Sequence, residues 1–309
     1  MCSGTPRCDA RAVRSAAALL FAVASTTGVW SCGLPPAEVE SRAPRICSVS
    51  LAGDELLALI LPPDRVVCVS SLVDRAEMSN AVGHYPPDIP RLHARVEEVL
   101  SADPDLVLAA PWNDRGFLDL LTRSRIDTVV LDEVVDFAGI REQIVTLGRR
   151  LHEEARASEV VGRLDRRLAE LDGAVGSVSE RPRVLSFSHS VVAGAATTVD
   201  ALIRRAGGRN AAAELGVSGH KKITVEQLIA LDPDLLLLGY DPGEDVEAVL
   251  DAYPHLKATR AAREKRVVVL PPRLLTTVTP HLVDGAIALA RELHPARMTA
   301  RREEGGRDS

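Results

Sequence analysis

The chain has 309 residues, room for about two domains of ordinary size. Hydrophobic residues make up 46% and charged residues 26%, which excludes both a disordered chain and a bundle of membrane spans. With 37 basic against 43 acidic side chains the net charge is −6, so the basic surplus of a nucleic-acid binder is missing. Aromatics are only 3%, so the core must be built from Leu, Val, Ile and Ala.

The first segment carries Arg7, Arg11 and Arg14, then an apolar run from Ser15 to Val29. That pattern describes an export signal and is too short for a membrane span of about 20 residues. Val29-Trp30-Ser31-Cys32-Gly33 resembles a bacterial lipobox, which makes Cys32 a lipidated first residue of the mature protein. Trp30 departs from the small residue usual there, and the alternative is a plain secretory signal cleaved nearby. Residues 1–31 are the leader and 32–44 a linker, and the protein works outside the cytoplasmic membrane. Cys47 and Cys68 lie in the strand-like runs ICSV and VVCVS and read as buried thiols. A disulfide between them is the alternative in an oxidising compartment. No Cys/His pattern has zinc spacing.

From Arg45 short apolar runs alternate with amphipathic stretches. Strands are predicted at Arg45–Val49, Val66–Ser70, Leu106–Ala109 and Thr128–Leu131, helices at Glu55–Leu61, Arg95–Ala102 and Gly116–Arg125. This is the rhythm of parallel βαβ units covered on both faces. Apolar residues at Phe137, Ile140, Ile144, Leu147, Leu151, Val161, Leu164, Leu168 and Leu171 then predict a single amphipathic helix over 136–172, roughly 50 Å long. After a Gly/Ser/Pro linker the first rhythm returns over 182–294. Strands are predicted at Val184–Ser188, Leu235–Leu238 and Arg266–Leu270, helices at Val199–Ala206, Val225–Leu231, Val246–Ala252 and Pro280–Leu293. The tail, 295–309, is polar and predicted to be disordered.

The two halves repeat each other. VEEVLSADPDLVL, from Val96, matches VEQLIALDPDLLL, from Val225, at a constant offset of 129 residues. The predicted architecture is α/β: a first lobe over 45–135 and a second over 182–294, both Rossmann-like with central parallel sheets, joined by a single long interlobe helix.

The opening R-I-C-S-V-S-L-A-G-D-E-L-L, the doubled D-P-D-L, the long helix and the closing T-P-H-L-V resemble the helical-backbone class of periplasmic binding proteins. These serve ABC importers of vitamin B12, ferric siderophores and haem. The resemblance covers Arg45 to about Leu293. Gly53-Asp54 departs from the family's small hydroxyl residue before Glu, and Asp54 is expected to cap the first helix instead. The resemblance implies a monomer that binds solute between its lobes, with only a small rocking motion, and then docks on a membrane permease driven by ATPase subunits. It implies no enzymatic activity and no resident cofactor, the cargo being a cobalt corrinoid or an iron chelate. A free zinc or manganese receptor and an extracytoplasmic enzyme are the alternatives. Against the enzyme, the chain has no G-x-S-x-G, H-E-x-x-H or phosphate-cradling glycine motif.

Glu97 and Glu226 occupy equivalent places in the repeat, where the B12-binding member has glutamates that meet permease arginines. The resemblance therefore implies docking, and the alternative is a solvated glutamate in a helix's first turn, with Glu98 adjacent. Loops after the strands are expected to line the cleft: His84, Tyr85, Arg91, Trp112, Asn113 and Arg115 from the first lobe, Phe187, His189, His220, Tyr240 and Arg273 from the second. Trp112 and Tyr240 follow equivalent strands, and each could stack on a bulky ligand or close its own lobe's core. Arg91 and His220 stand six residues before their glutamates, where the B12-binding member has tryptophans. Pro90 stands where haem-binding members often carry a Tyr ligand. His84, His189 or His220 could ligate cobalt or iron or be plain surface residues. Arg91, Arg115 and Arg273 would suit an anionic ferric chelate.

Overall fold

The computed structural model describes residues 44–240 and 243–299, so the expected leader, Cys32 and most of the tail lie outside the described residues. The first half alternates β1 (Ile46–Ser48), α1 (Leu51–Ile60), β2 (Val66–Ser70), β3 (Arg91–Leu92), α2 (Val96–Ser101), β4 (Leu106–Ala109), α3 (Arg115–Arg123) and β5 (Asp127–Val130). Its five strands are all parallel, in the order β3-β2-β1-β4-β5. α1 starts at Leu51 because the Ser50 side chain accepts the Gly53 N–H at 3.2 Å. Asp54, expected as that cap, is instead fully buried inside the helix. Gly53 passes so close to β1 that a Cβ there would stand 2.5 Å from Ser48 Oγ. Cys47 and Cys68 are register partners on β1 and β2 and form a disulfide with Cα atoms 4.6 Å apart, rather than two free thiols.

The connection is two helices, not one: α4 (Phe137–Leu151) and α5 (Glu154–Val175). His152 adopts a left-handed conformation (φ 57°), and the Glu153 N–H reaches back to the Gly148 carbonyl at 2.7 Å. His152 N–H bonds the Arg149 carbonyl as well, which completes a Schellman-type stop with histidine where glycine is usual. The chain then doubles back. Arg141 pairs with Asp165, and a Cβ on Gly148 would lie 2.4 Å from that of Ala157, so the hairpin needs glycine there. The connecting rod is therefore α5 alone: 22 residues, about 33 Å. It packs on α1 in the first half.

The second half contains β6 (Arg183–Ser188), β7 (Val191–Ala193), α6 (Thr198–Arg205), β8 (Arg209–Asn210), α7 (Ala211–Glu214), β9 (His220–Lys222) and α8 (Val225–Leu231). It continues with β10 (Leu235–Gly239), α9 (Val246–Ala252), α10 (Pro254–Lys257), α11 (Arg260–Arg263), β11 (Val267–Leu270), α12 (Pro272–Leu275) and α13 (Leu282–Leu293). The sheet runs β11-β10-β6-β7-β9, with β8 also beside β6. It is mixed, not parallel as expected, because β6 and β7 form a hairpin. Its two-residue loop, His189-Ser190, has φ 49° and 68°, the double positive φ of a type I′ turn. α5 also packs on α13, where Arg167 pairs with Asp284 at 2.5 Å, and Arg205 of α6 pairs with Asp172. One apolar cluster runs through both halves around this rod, from Ile46 and Leu56 through Leu164 and Leu168 to Leu202 and Leu289. Beyond α13, residues 295–299 are helical rather than disordered, and Met298 packs on the core. Among the described residues, no helix is long and apolar enough to cross a membrane.

The repeat has a common structural cause in both halves. Asp105 accepts the Arg45 backbone N–H at 2.7 Å, and Asp234 accepts that of Arg183 at 2.8 Å. Each arginine in turn donates to a carbonyl at the end of the preceding helix, Ala102 (2.6 Å) and Leu231 (2.7 Å). Asp103 and Asp232 both take positive φ, turning the chain into β4 and β10. The D-P-D motif thus ties helix end, strand start and first strand together, once per half.

Candidate functional site

The carboxyl ends of β1–β4 and the segment after β11 enclose a cavity of about 500 Å³. Ligands commonly bind at such strand ends, where loops converge and no ladder occupies the backbone. Val49, Ser50, Ser71, His93 and Asn113 come from the first half, Pro272, Thr276, Thr277 and Val278 from the second. A second cavity of about 380 Å³ lies between Glu133–Val135 and the residues Ala196–Thr198, Gly219 and His220. Both are lined by Trp112, Thr276 and Val278, so they form one trough with Trp112 at the divide. Trp112 is 58% exposed, a large apolar ring left in the open. Among the described residues, no Arg or Lys lines either cavity.

The floor of the first cavity is a seam between the halves. Buried Glu55, on α1, accepts hydrogen bonds from the Asn80 backbone (2.8 Å) and side chain (3.0 Å). It also accepts from the hydroxyls of Thr277 (3.0 Å) and Thr279 (2.7 Å) of the second half. Asn80 Nδ2 further donates to the Arg273 carbonyl at 2.7 Å, and the Arg273 N–H reaches Glu77 O. Neighbouring Asp54 accepts from the Ser70 N–H (3.1 Å) and hydroxyl (2.5 Å). Burial pushes its carboxyl up to about 7, against the opposing hydrogen bonds from Ser70 and Ser48 and with a further push from Glu55.

Of the side chains expected in the cleft, Trp112, Asn113 and His220 line the trough. The others do not come to it. Tyr85 is buried and its hydroxyl donates to the Asp54 carbonyl at 2.6 Å. Phe187 packs edge-on against Tyr253 in the second half's core, and Tyr240 is buried beside it. Both rings belong to the second half's own apolar cluster. His189 stacks on Tyr240 and belongs to the hairpin turn. Arg91 is consumed by Asp74 (2.9 Å) and by the carbonyls of Pro86, Ile89 and Tyr85. Arg273 is held at the seam beside Asn80, while exposed Arg115 and His84 stand outside both cavities. Sequence reasoning missed His93, which follows the two-residue β3, too short a strand to announce itself. It also missed Glu55, whose apolar helical neighbours give no sign that two of its partners, Thr277 and Thr279, come from the other half.

Glu97 and Glu226 are both exposed, on α2 and α8. Glu98 is engaged: it accepts the His93 N–H at 2.7 Å and lies 3.9 Å from Arg95. Among the described residues, no three His, Cys, Asp or Glu side chains gather as a metal site.

Residues 46–274 match the family described as periplasmic binding protein. The chain belongs to that family. The binding protein is 25% identical to a cobalamin-binding protein of Halobacterium salinarum, over 84% of this chain and 78% of the relative. It is 23% identical to YvrC, an uncharacterized ABC transporter substrate-binding lipoprotein of Bacillus subtilis (strain 168), over 90% of this chain and 96% of that one. Among solved structures it is similar to the periplasmic heme-binding protein RhuT from Roseiflexus sp. RS-1, with TM-score 0.68, 25% identity and 82% and 100% of the two chains covered. A periplasmic heme-binding protein from Pseudomonas aeruginosa gives TM-score 0.67 at 28% identity, covering 82% of this chain and 93% of that one. The binding protein is thus an extracytoplasmic substrate-binding component of an ABC importer.

Proposed function

We propose that the binding protein captures a cobamide in the trough, without transforming it, and delivers it to a membrane permease. The observation that carries this reading is the make-up of the trough: a bare indole at its divide, apolar and hydroxyl-bearing walls, and no cation among the described lining residues. A broad, largely uncharged macrocycle gains by stacking and apolar burial on such a surface. An anionic ferric siderophore would demand arginines, and Arg91 and Arg273 are already occupied by other partners. The cobalamin-binding relative supports the same choice.

Glu97 and Glu226 are the docking charges of this reading. Each is exposed in the first turn of a helix of its own half, matching a permease built of two equivalent subunits that offer basic pockets. Lipidation at Cys32 would hold the protein at the membrane beside that partner. The test is a titration with cyanocobalamin, haemin and a ferric hydroxamate, following Trp112 fluorescence. A saturable response to cyanocobalamin is expected; a response to an iron chelate alone overturns the cobamide assignment.

A further inference from the structure

α2 and α8 bury the apolar side chain at the same repeat position, Val99 and Leu228, and α8 buries Leu231 at its end as well. The residue that follows Val99, like the one that follows Leu228, is apolar too, and the fold leaves it outside: Leu100 is 47% exposed and Ile229 50%. These two are 129 residues apart, the same offset that separates Glu97 from Glu226. Single exposed aliphatics are ordinary on protein surfaces. A pair repeated at equivalent positions of two halves that otherwise share about half of their residues in this segment is a different observation. In each helix the aliphatic stands three residues after the glutamate, so the two side chains share one strip of surface. In α8, Val225, 43% exposed, extends the strip.

We infer that Leu100 and Ile229 are docking contacts for the permease: a matched pair of aliphatic anchors, each beside its glutamate. This rests on the docking reading of Glu97 and Glu226 and adds to it a part that charge cannot supply. The permease is the occupant because the strip occurs once per half, continuous with the docking charges, and so suits a partner that presents the same subunit twice. Charge steers the encounter and fades with salt, whereas aliphatic burial sets residence and is not screened by salt. The pair therefore makes a salt-resistant share of the affinity.

The experiment places the cognate permease with its ATPase subunits in nanodiscs and measures binding of the loaded protein from low to high salt. Leu100→Ser, Ile229→Ser and their combination are compared with Glu97→Gln/Glu226→Gln. Both aliphatics are exposed, and an unchanged melting curve and cyanocobalamin titration verify that the fold and the trough are intact. Each single serine variant is expected to weaken docking about fivefold and the pair more than tenfold, at every salt concentration and with the slope against salt unchanged. The glutamine variants are expected to flatten that slope. Wild-type docking by the serine pair, alongside weakened glutamine variants, overturns this inference and leaves the docking reading standing. Full docking by all variants overturns both. If the unvaried protein self-associates in sedimentation and the serine pair does not, the strip serves a second copy of the chain and the inference fails.

Discussion

The hydroxyl of Thr279 donates to the carboxylate of Glu55 at 2.7 Å, across the seam where the two halves meet. Both groups are buried, and Thr277 and Asn80 complete the set of donors around the same carboxylate. A buried carboxylate is tolerated only when its lone pairs are filled. Thr279→Val removes one donor and is expected to cost about 1–3 kcal/mol. The measurement is urea denaturation: the midpoint should fall with no change in slope. An unchanged midpoint would show that the seam gains nothing from this bond.

Asp54 sets a pH dependence. Its carboxyl is raised from 3.8 to about 7 by burial, so the native state keeps a proton that the unfolded chain has already released. Its contribution is full below pH 4 and is lost as pH rises through about 7, amounting to about 2–3 kcal/mol between pH 5 and pH 8. Asp54→Asn keeps the shape and removes the titration. Melting of that variant should decline less between pH 5 and pH 8 than melting of the unaltered protein; parallel curves would sink the assignment.

The Cys47–Cys68 bridge links residues 21 apart in sequence. In the chain-entropy account a loop of that size is worth about 3 kcal/mol. Cys47→Ala/Cys68→Ala is expected to lose stability by that order in guanidinium titrations, and the unaltered protein refolded under reductant should fall to the same level. Thiol counting on the oxidised, denatured protein should find neither cysteine free.

Trp112 reports on the trough directly. The sequence holds two tryptophans, Trp30 and Trp112, so a chain starting after Trp30 emits from Trp112 alone. Trp112→Ala should lower cyanocobalamin affinity about tenfold, through lost stacking and burial, while leaving the melting temperature within a degree or two. Calorimetric titration measures the affinity without the fluorophore. Equal affinity would place the ligand elsewhere.

The doubled motif was readable because it does the same work twice: Asp105 with Arg45 and Asp234 with Arg183 need the same residues at the same spacing. The break between α4 and α5 was not readable. Apolar residues keep steps of three and four from Phe137 to Leu151 and again from Val161 to Leu171, and the stop residue is His152, not a glycine or proline. β3, β7, β8 and β9 have two or three residues each, below the length at which alternation shows. In the site, Trp112 and Tyr240 follow equivalent strands and yet face opposite ways, one to the trough and one to the core. Ring identity and spacing give no direction. Glu55 shows the same limit, since two of the partners that satisfy it, Thr277 and Thr279, lie more than 220 residues along the chain.

The hairpin of α4 on α5 leaves an uninterrupted α5 riveted to one half through α1 and to the other through Arg167–Asp284. A jaw mounted on so rigid a bar has its gape set in advance, so the cargo meets a vise rather than a closing hand. Unloading must then be wrenched from outside, and away from the transporter the protein should let go of its passenger slowly.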